Sequence, residues 1–292
     1  MPVALQPTIP LYDEDAYAVQ FTASVLSVDE TGVVLDRTLF FPEQGGQKSD
    51  TGILTCDGRS VQVRDVRIRN GVITHVADWG EEAPFTPGCT VTGEIDWVRR
   101  FDFMQHHSGE HIISGTAHRL YGCDNTGFHL TENEMTLDFS RLLTAEEIAR
   151  LELEVNKAVW KDVEIVAFFP ASEEAERLDY RSKIDITEGL RIVTIEGIDV
   201  CACCAPHVHR TGEVGFIKVV KCMKNKGNTR LKVVCGSRAY DLLTSEYRIL
   251  HEISDMLSTS TDCVPERIKR FKDDIYALKG EIRQLKAEVN HG

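Results

Sequence analysis

No apolar run in these 292 residues approaches the roughly 20 consecutive positions a membrane-crossing helix needs, so no membrane attachment is expected. The N-terminus, Met1-Pro-Val-Ala-Leu-Gln-Pro7, lacks both a basic region and an apolar core, so it does not read as a secretory signal. A cytoplasmic protein is the expectation. There is no internal repeat, no low-complexity tract and no G-x-x-x-x-G-K-[ST] loop to cradle a nucleotide phosphate. Positive charge is scarce: 33 Lys and Arg stand against 46 Asp and Glu, a net charge of −13. Phosphate contacts need cations, so this balance argues against a general nucleic-acid binder.

What is present is a globular composition, 42% hydrophobic and 27% charged, long enough for two or three domains. Nine cysteines is an odd count, which favours free thiols and thiolate ligands over a disulfide framework. The charge is also uneven. Arg210, Lys218, Lys221, Lys224, Lys226, Arg230, Lys232 and Arg238 face one acid, Glu213, between 210 and 238. Such a tract suits a polyanion or a solvated face equally well.

Residues 1–97 read as a β-rich domain with the pattern of a small antiparallel barrel. Val19, Phe21, Ala23 and Val25 alternate before a turn at Asp29–Gly32; Val61 and Val63 alternate, and Val66 and Ile68 follow in shifted phase. Asn70-Gly71 is a strong hairpin signal, and Glu81–Gly88 reads as a surface loop. Within this region Phe40-Phe-Pro-Glu-Gln-Gly45-Gly46-Gln47-Lys-Ser-Asp50-Thr-Gly52 stands out, because paired glycines permit a tight turn or a close backbone approach to a ligand.

Residues 98–238 read as an α+β domain. A helix runs from Trp97 to Tyr121-Gly122, strands are expected at Met135–Phe139 and Arg191–Ile195, and Val163–Phe169 reads as a buried strand. Thr144-Ala-Glu-Glu147 opens another helix with a capping box. Residues 239–292 are helical. Ile268, Phe271, Ile275, Leu278, Ile282, Leu285 and Val289 form a heptad seam, open to an intramolecular hairpin or a homodimer. The seam is still running where the sequence stops, which reads as truncation of a longer extension.

His107 and His111, four apart on the expected helix, present both imidazoles on one face, half of a tetrahedral zinc site. The dense supply of further ligands is Cys201-Ala-Cys203-Cys204-Ala-Pro-His207-Val-His209. Cys203 with His207, or Cys201 with Cys204 or His209, could complete the set, and spacing does not choose among them. His107-Ser-Gly-Glu110-His111 also matches H-x-x-E-H, in which Glu110 would be a protease general base. That reading leaves Cys203 and His207 without a task.

The combination resembles the freestanding alanyl-tRNA editing proteins (AlaX) and the editing portion of alanyl-tRNA synthetase, with the threonyl-tRNA synthetase editing domain a more distant relative. The resemblance rests on His107-x3-His111 after Met104-Gln105, on Cys203 and His207 four apart, on Thr211-Gly-Glu-Val-Gly215, and on the Phe40–Gly52 stretch. It covers nearly the whole chain, and the last helices resemble the linker helices of the long subtype. Cys204-Ala205-Pro206 departs from the family's Gly-Gly-Thr, which removes any hydrogen bond from that threonine.

The resemblance implies one Zn2+ per chain held by His107, His111, Cys203 and His207. It implies hydrolysis of the aminoacyl ester of tRNA(Ala) mischarged with serine, and with glycine as a second substrate. Gln47, Asn125, Thr126 and His129 are the candidate catalytic and cavity polar groups. Gly45, Gly46, Arg210, Lys218, Lys221, Lys224, Lys226 and Arg230 are the candidate contacts to substrate and tRNA. Asp199 and Glu110 are candidates to hold a ligand imidazole; the other reading of Glu110 is an exposed helix charge without a role. A zinc metalloprotease and a non-catalytic zinc and coiled-coil interaction module are the alternatives.

Overall fold

The structure, a computed structural model, describes residues 6–79, 83, 85–182 and 189–291, so the loop expected over Glu81–Gly88 lies partly outside the described residues. Residues 1–239 form one compact unit and 240–292 a second.

The chain is α+β. Six antiparallel strands close a barrel: β1 (Gln20–Asp29), β2 (Gly32–Leu35), β3 (Gly52–Cys56), β4 (Arg59–Arg69), β5 (Val72–Ala77) and β6 (Thr90–Ile95), in the order β1-β2-β5-β4-β3-β6 and back to β1. Closure leaves no open sheet edge. The shifted phase in β4 has a cause: a bulge between Val63 and Asp65 resets the register, so Val61, Val63 and Val66 all point inward. Asn70 and Gly71 both take positive φ, as the β4–β5 turn requires. A second hairpin at Asp57-Gly58 has the same geometry and was not singled out by the alternation.

Leu39, Phe40 and Phe41 are buried within the barrel's apolar core, which anchors the start of the glycine-rich stretch. Its end is fastened by a fully buried ion pair. Arg100 Nη2 donates to Asp50 Oδ2 at 2.5 Å and to the Leu39 carbonyl at 2.5 Å, while Nη1 donates to the Ala16 carbonyl at 3.0 Å. Breaking such a pair from one side leaves an uncompensated buried charge, worth about 3–5 kcal/mol. The barrel and the helix carrying Arg100 are therefore locked together beside the Gly45-Gly46 turn.

That helix, α1 (Trp97–Tyr121), starts at Asp96, whose side chain accepts from the Arg99 N–H at 3.1 Å, and ends on left-handed Gly122. Every residue from Phe103 to Ala117 is buried, so α1 is a central helix rather than a surface one. Around it lie a four-stranded antiparallel sheet, a three-stranded one, and α2 (Ala145–Trp160). In the first sheet β7 (Asn125–Leu130), β8 (Met135–Phe139), β12 (Ile217–Asn225) and β13 (Asn228–Cys235) follow the order β12-β13-β8-β7. In the second β9 (Ile165–Phe168), β10 (Ile192–Ile195) and β11 (Asp199–Ala202) follow chain order. Phe103, Met104, Ile112 and Ile113 of α1 share one core with Leu137, Val193, Leu231 and α2's Val155. The capping box at Thr144 and Glu147 is present as expected.

The stretch Val163–Phe169, expected as a buried strand, is corrected. β9 pairs with β10 on one side, while on the other only its start is engaged, the Ile165 N–H donating to the His209 carbonyl at 2.8 Å beside a Glu164–Arg210 bridge; Val166 and Phe169 are exposed. A run of apolar residues does not distinguish a covered strand from a bare edge.

In the second unit, α3 (Gly236–Met256, its first residues still in the first unit) precedes α4 (Val264–His291). The α4 heptad residues range from 41% exposed at Phe271 to 80% at Val289, so among the described residues of this unit the seam lies open.

Candidate metal centre

Four potential ligands from distant parts of the chain converge: His107 and His111 from α1, Cys203 and His207 from the turn after β11. One donor atom of each lies within 4.8 Å of the others. Cys203 Sγ is 3.5 Å from His107 Nε2 and 3.3 Å from His207 Nε2. A tetrahedral zinc ion places its sulfur and nitrogen ligands about 3.5 Å apart, given bond lengths near 2.3 and 2.0 Å. Donor set and spacing both fit a zinc-sized ion.

The residues behind the ligands point the same way. His107 Nδ1 bonds Gln47 Oε1 at 2.7 Å, His111 Nδ1 bonds Asp199 Oδ2 at 2.9 Å, and His207 Nδ1 bonds Ser108 Oγ at 3.0 Å. Each Nδ1–H has an acceptor, which leaves each Nε2 lone pair facing the centre. Holding the second nitrogen in this way fixes ring orientation and tautomer and is the usual support of a metal-binding imidazole. Cys203 Sγ also accepts from the Ala205 N–H at 3.5 Å, and Arg191 Nη1 ties the turn by donating to the Cys203 and Ala205 carbonyls at 3.1 and 2.9 Å.

Backbone geometry brings the partners close. Gly46, with φ +82°, packs where a Cβ would meet the Phe128 carbonyl at 2.6 Å, and its own carbonyl accepts from the Leu130 N–H at 2.8 Å. The glycine-rich turn is thereby stitched to the edge of β7, which delivers Gln47 to His107. On α1, a Cβ at Gly115 would meet the Ile198 carbonyl at 2.3 Å and Asp199 Cβ at 2.8 Å. Only a glycine lets the start of β11 come close enough for Asp199 to reach His111.

The local field favours a bound cation. Burial pushes the Cys203 thiol up, but the neighbouring His107 and His207 and its hydrogen bonds overcome this and hold it well below the ordinary thiol range. Burial pushes His111 down, yet Asp199, Cys203 and Glu110 raise it well above its ordinary value. Burial pushes His207 down to about 3. A second group, His111, Asp199 and Cys201, could also gather around an ion. Both Asp199 oxygens are engaged by Arg181, however, and burial pushes the Cys201 thiol up, so the first set fits better.

Beside the four ligands lies a cavity of about 480 Å³, walled by Gly45, Gly46, Glu110, Phe128, Ser182 and Cys204 among others. Glu110 is not an exposed helix charge: it is 3% exposed. Its Oε1 accepts from Ser114 Oγ at 2.8 Å and Asn125 Nδ2 at 2.5 Å, and its Oε2 is 3.7 Å from His111 Nε2. Gln47 Nε2 is a buried donor with no hydrogen-bond partner among the described residues. Thr126 and His129 are exposed on β7 and do not line the cavity; Thr126 Oγ1 donates to the Asp138 carbonyl at 3.2 Å.

The basic tract is partly neutralised in three dimensions. Lys218 pairs with Glu152, Arg230 with Asp138, Lys232 with Glu134, Arg238 with Asp102 and Arg210 with Asp162. Lys221, Lys224 and Lys226, on β12 and the β12–β13 turn, have no ion-pair partner among the described residues. The sequence reading missed Ser108, Ser114 and Arg181. The two serines lie on the same helix as the histidines, and their burial was the missing information. Arg181 lies outside every motif and carries no sequence signal.

The comparisons with known proteins agree with this geometry. Residues 14–99 match a family described as tRNA synthetases class II (A), and residues 190–232 match the threonyl and alanyl tRNA synthetase second additional domain. An alanine–tRNA ligase of Ignicoccus hospitalis is 32% identical over 97% of this chain, and one of Methanothrix thermoacetophila is 34% identical over 92%. The chain spans about a third of each ligase, 32% and 30% respectively. The alanyl-tRNA editing protein AlaX-L of Pyrococcus horikoshii is 32% identical over 96% of this chain and 70% of its own length. With similarity running through barrel, histidine helix and cysteine turn together, the chain belongs to the alanyl-tRNA editing family.

Proposed function

We propose that the protein is a trans-editing hydrolase that removes serine, and secondarily glycine, from mischarged tRNA(Ala) by cleaving the aminoacyl ester. The reading is supported by one observation: three imidazoles, each held at Nδ1 so that Nε2 faces the Cys203 sulfur, two of which, His107 and His111, wall with Cys203 a cavity large enough for an aminoacyl group. Imidazole and thiolate together suit zinc, and we assign one Zn2+ per chain to His107, His111, Cys203 and His207. Bound there, zinc would supply Lewis acidity toward the ester or its attacking water.

The chain's own residues do the rest. In the reaction a water oxygen bonds the ester carbon, the bond to the ribose oxygen breaks, and that oxygen takes up a proton, leaving free amino acid and tRNA. Gln47 orients His107 through Oε1 and offers its remaining amide donor, Nε2, to the ester carbonyl. Glu110, held by Ser114 and Asn125, presents carboxylate to the cavity. A cavity lined with such buried polar groups favours a seryl side chain over alanine, whose methyl would leave them unpaired. Gly45 and Gly46 form a wall that the end of the tRNA can approach closely. Lys221, Lys224 and Lys226 are the foremost candidates for backbone phosphates, with Lys218, Arg210 and Arg230 contributing after exchange of their acidic partners. Thr126 and His129 would act from outside the cavity. The setting is the cytoplasm, and among the described residues no helix is long and apolar enough to cross a membrane.

The deciding experiment offers the purified chain Ser-tRNA(Ala) and Ala-tRNA(Ala) and follows ester loss. Preferential loss of the seryl ester is expected, abolished by Cys203→Ala. Equal rates, or no hydrolysis of either, would sink the proposal. Peptide cleavage that needs Glu110 but not Cys203 would replace it with the protease reading. Zinc binding without hydrolysis of any mischarged tRNA would favour the interaction module.

A further inference from the structure

Behind His111 stands not one residue but a chain of two. Asp199, 6% exposed, accepts the His111 Nδ1–H through Oδ2. Arg181 grips the same carboxylate with two parallel bonds, Nε to Oδ1 at 2.7 Å and Nη2 to Oδ2 at 2.8 Å. Its backbone is fixed as well: the Arg181 N–H donates to the Val200 carbonyl at 2.8 Å, and its carbonyl accepts from the Ala202 N–H at 2.9 Å. The guanidinium is thus anchored to the strand that carries Asp199, and its planar fork permits one orientation of the carboxylate. Without it, Asp199 would be a buried anion held by one imidazole and free to rotate about its side-chain bonds.

We propose that Arg181 is a positioning residue of the metal centre. Through Asp199 it fixes the ring plane and tautomer of His111, and so helps set the affinity of a site it does not touch. This rests on the metal reading above. The Arg181–Asp199 pair also lines a second cavity of about 510 Å³, together with Arg119, Tyr180 and Glu196. The clamp is therefore reachable by small molecules when the arginine side chain is removed.

The test measures zinc affinity of the full chain by competition with a chromophoric chelator, alongside thermal melting of the metal-free protein. Wild type, Arg181→Ala, Arg181→Lys, Asp199→Asn and the Arg181→Ala/Asp199→Asn double variant are compared. Arg181→Ala should weaken zinc binding about tenfold, within the range seen when a residue supporting a ligand is lost. Arg181→Lys, a point charge without the fork, should fall between it and wild type. Added guanidinium should restore affinity to Arg181→Ala, whereas sodium at equal ionic strength should not. The double variant should bind no more weakly than Asp199→Asn, because Arg181 acts only through Asp199. If Arg181→Ala does not fold, Arg181→Gln carries the same comparisons. Wild-type affinity in the arginine variants, or additive losses in the double variant, would overturn the proposal while leaving the metal reading intact. Failure of the wild-type chain to bind zinc would overturn both.

Discussion

At the scale of single residues, each candidate ligand imidazole is oriented by the group hydrogen-bonded behind it. Gln47, Asp199 and Ser108 come from the barrel stretch, from β11 and from α1 itself, yet each occupies the Nδ1 of one imidazole. Gly115 makes one of these contacts sterically possible. A methyl at that position collides with a backbone carbonyl, which cannot swing aside as a side chain can. Gly115→Ala should therefore destabilise the fold by about 1–3 kcal/mol and also lower zinc affinity by displacing Asp199. Melting and metal titration together check this; a loss of stability with unchanged affinity would show that β11 moves without Asp199 losing His111. The candidate ligand pair His107 and His111 was legible from spacing alone, and Cys203 and His207 as its completion from the family resemblance. Ser108 and Arg181 were not, because a serine or arginine acquires such a role only through where the fold places it.

At the scale of elements, two features decide the architecture. One is the closed barrel, whose interior holds a neutral histidine. His75 is fully buried, its Nδ1–H donating to the Val33 carbonyl at 3.0 Å and its Nε2 accepting from Thr38 Oγ1 at 2.8 Å. Burial lowers its pKa to about 4. The unfolded chain, with a histidine near 6.5, binds more protons between these values than the folded one. Stability from this group is thus fully present above about pH 6.5 and declines as pH falls toward 4, by roughly 3 kcal/mol at the extreme. Urea unfolding of wild type and His75→Gln across this range should show the slope flattened in the variant; equal slopes would refute it. The other feature is α1, buried along its middle. Its polar residues would be unaffordable in an apolar core without partners, and almost all have them; Thr116 Oγ1 is an exception. The strand alternation and the bulge in β4 were readable as a change of phase. The exposure of Val166 and Phe169 at β9 was not, since a short apolar run looks the same whether or not another layer covers it.

At the scale of the whole molecule, the exposed α4 seam calls for a partner, and the charges beside it say how a second copy would lie. With Ile268 and Ile275 at a positions and Phe271 and Leu278 at d, the flanking g positions include Asp274 and Glu281, and the e positions include Lys272, Lys279 and Lys286. In a parallel pair Asp274 meets Lys279 of the second copy and Glu281 meets Lys286. Arg267 opposite Lys272 is the one unfavourable contact; an antiparallel pair would set lysine against lysine. A parallel homodimer is therefore expected, with each exposed ion pair contributing about 0.2–1 kcal/mol. Sedimentation equilibrium should show a concentration-dependent dimer, weakened by Asp274→Lys with Glu281→Lys and restored when Lys279→Glu and Lys286→Glu are added. A monomer at all concentrations would rule it out.

By itself the sequence determined what is local or periodic: the barrel's alternation, the extent of α1, the capping box, the heptad seam, and two histidines on one helical face. Those properties follow from spacing and from conformational preferences acting over a few residues. Only the tertiary structure showed that Cys203 and His207 lie within donor reach of the two helical histidines, that Glu110 is buried against the cavity, and that five of the cations between 210 and 238 face acids. It also revealed Arg181 gripping Asp199 behind His111. Each of these depends on segments between 15 and 136 residues apart meeting in the fold, and such meetings leave no mark in the order of the residues.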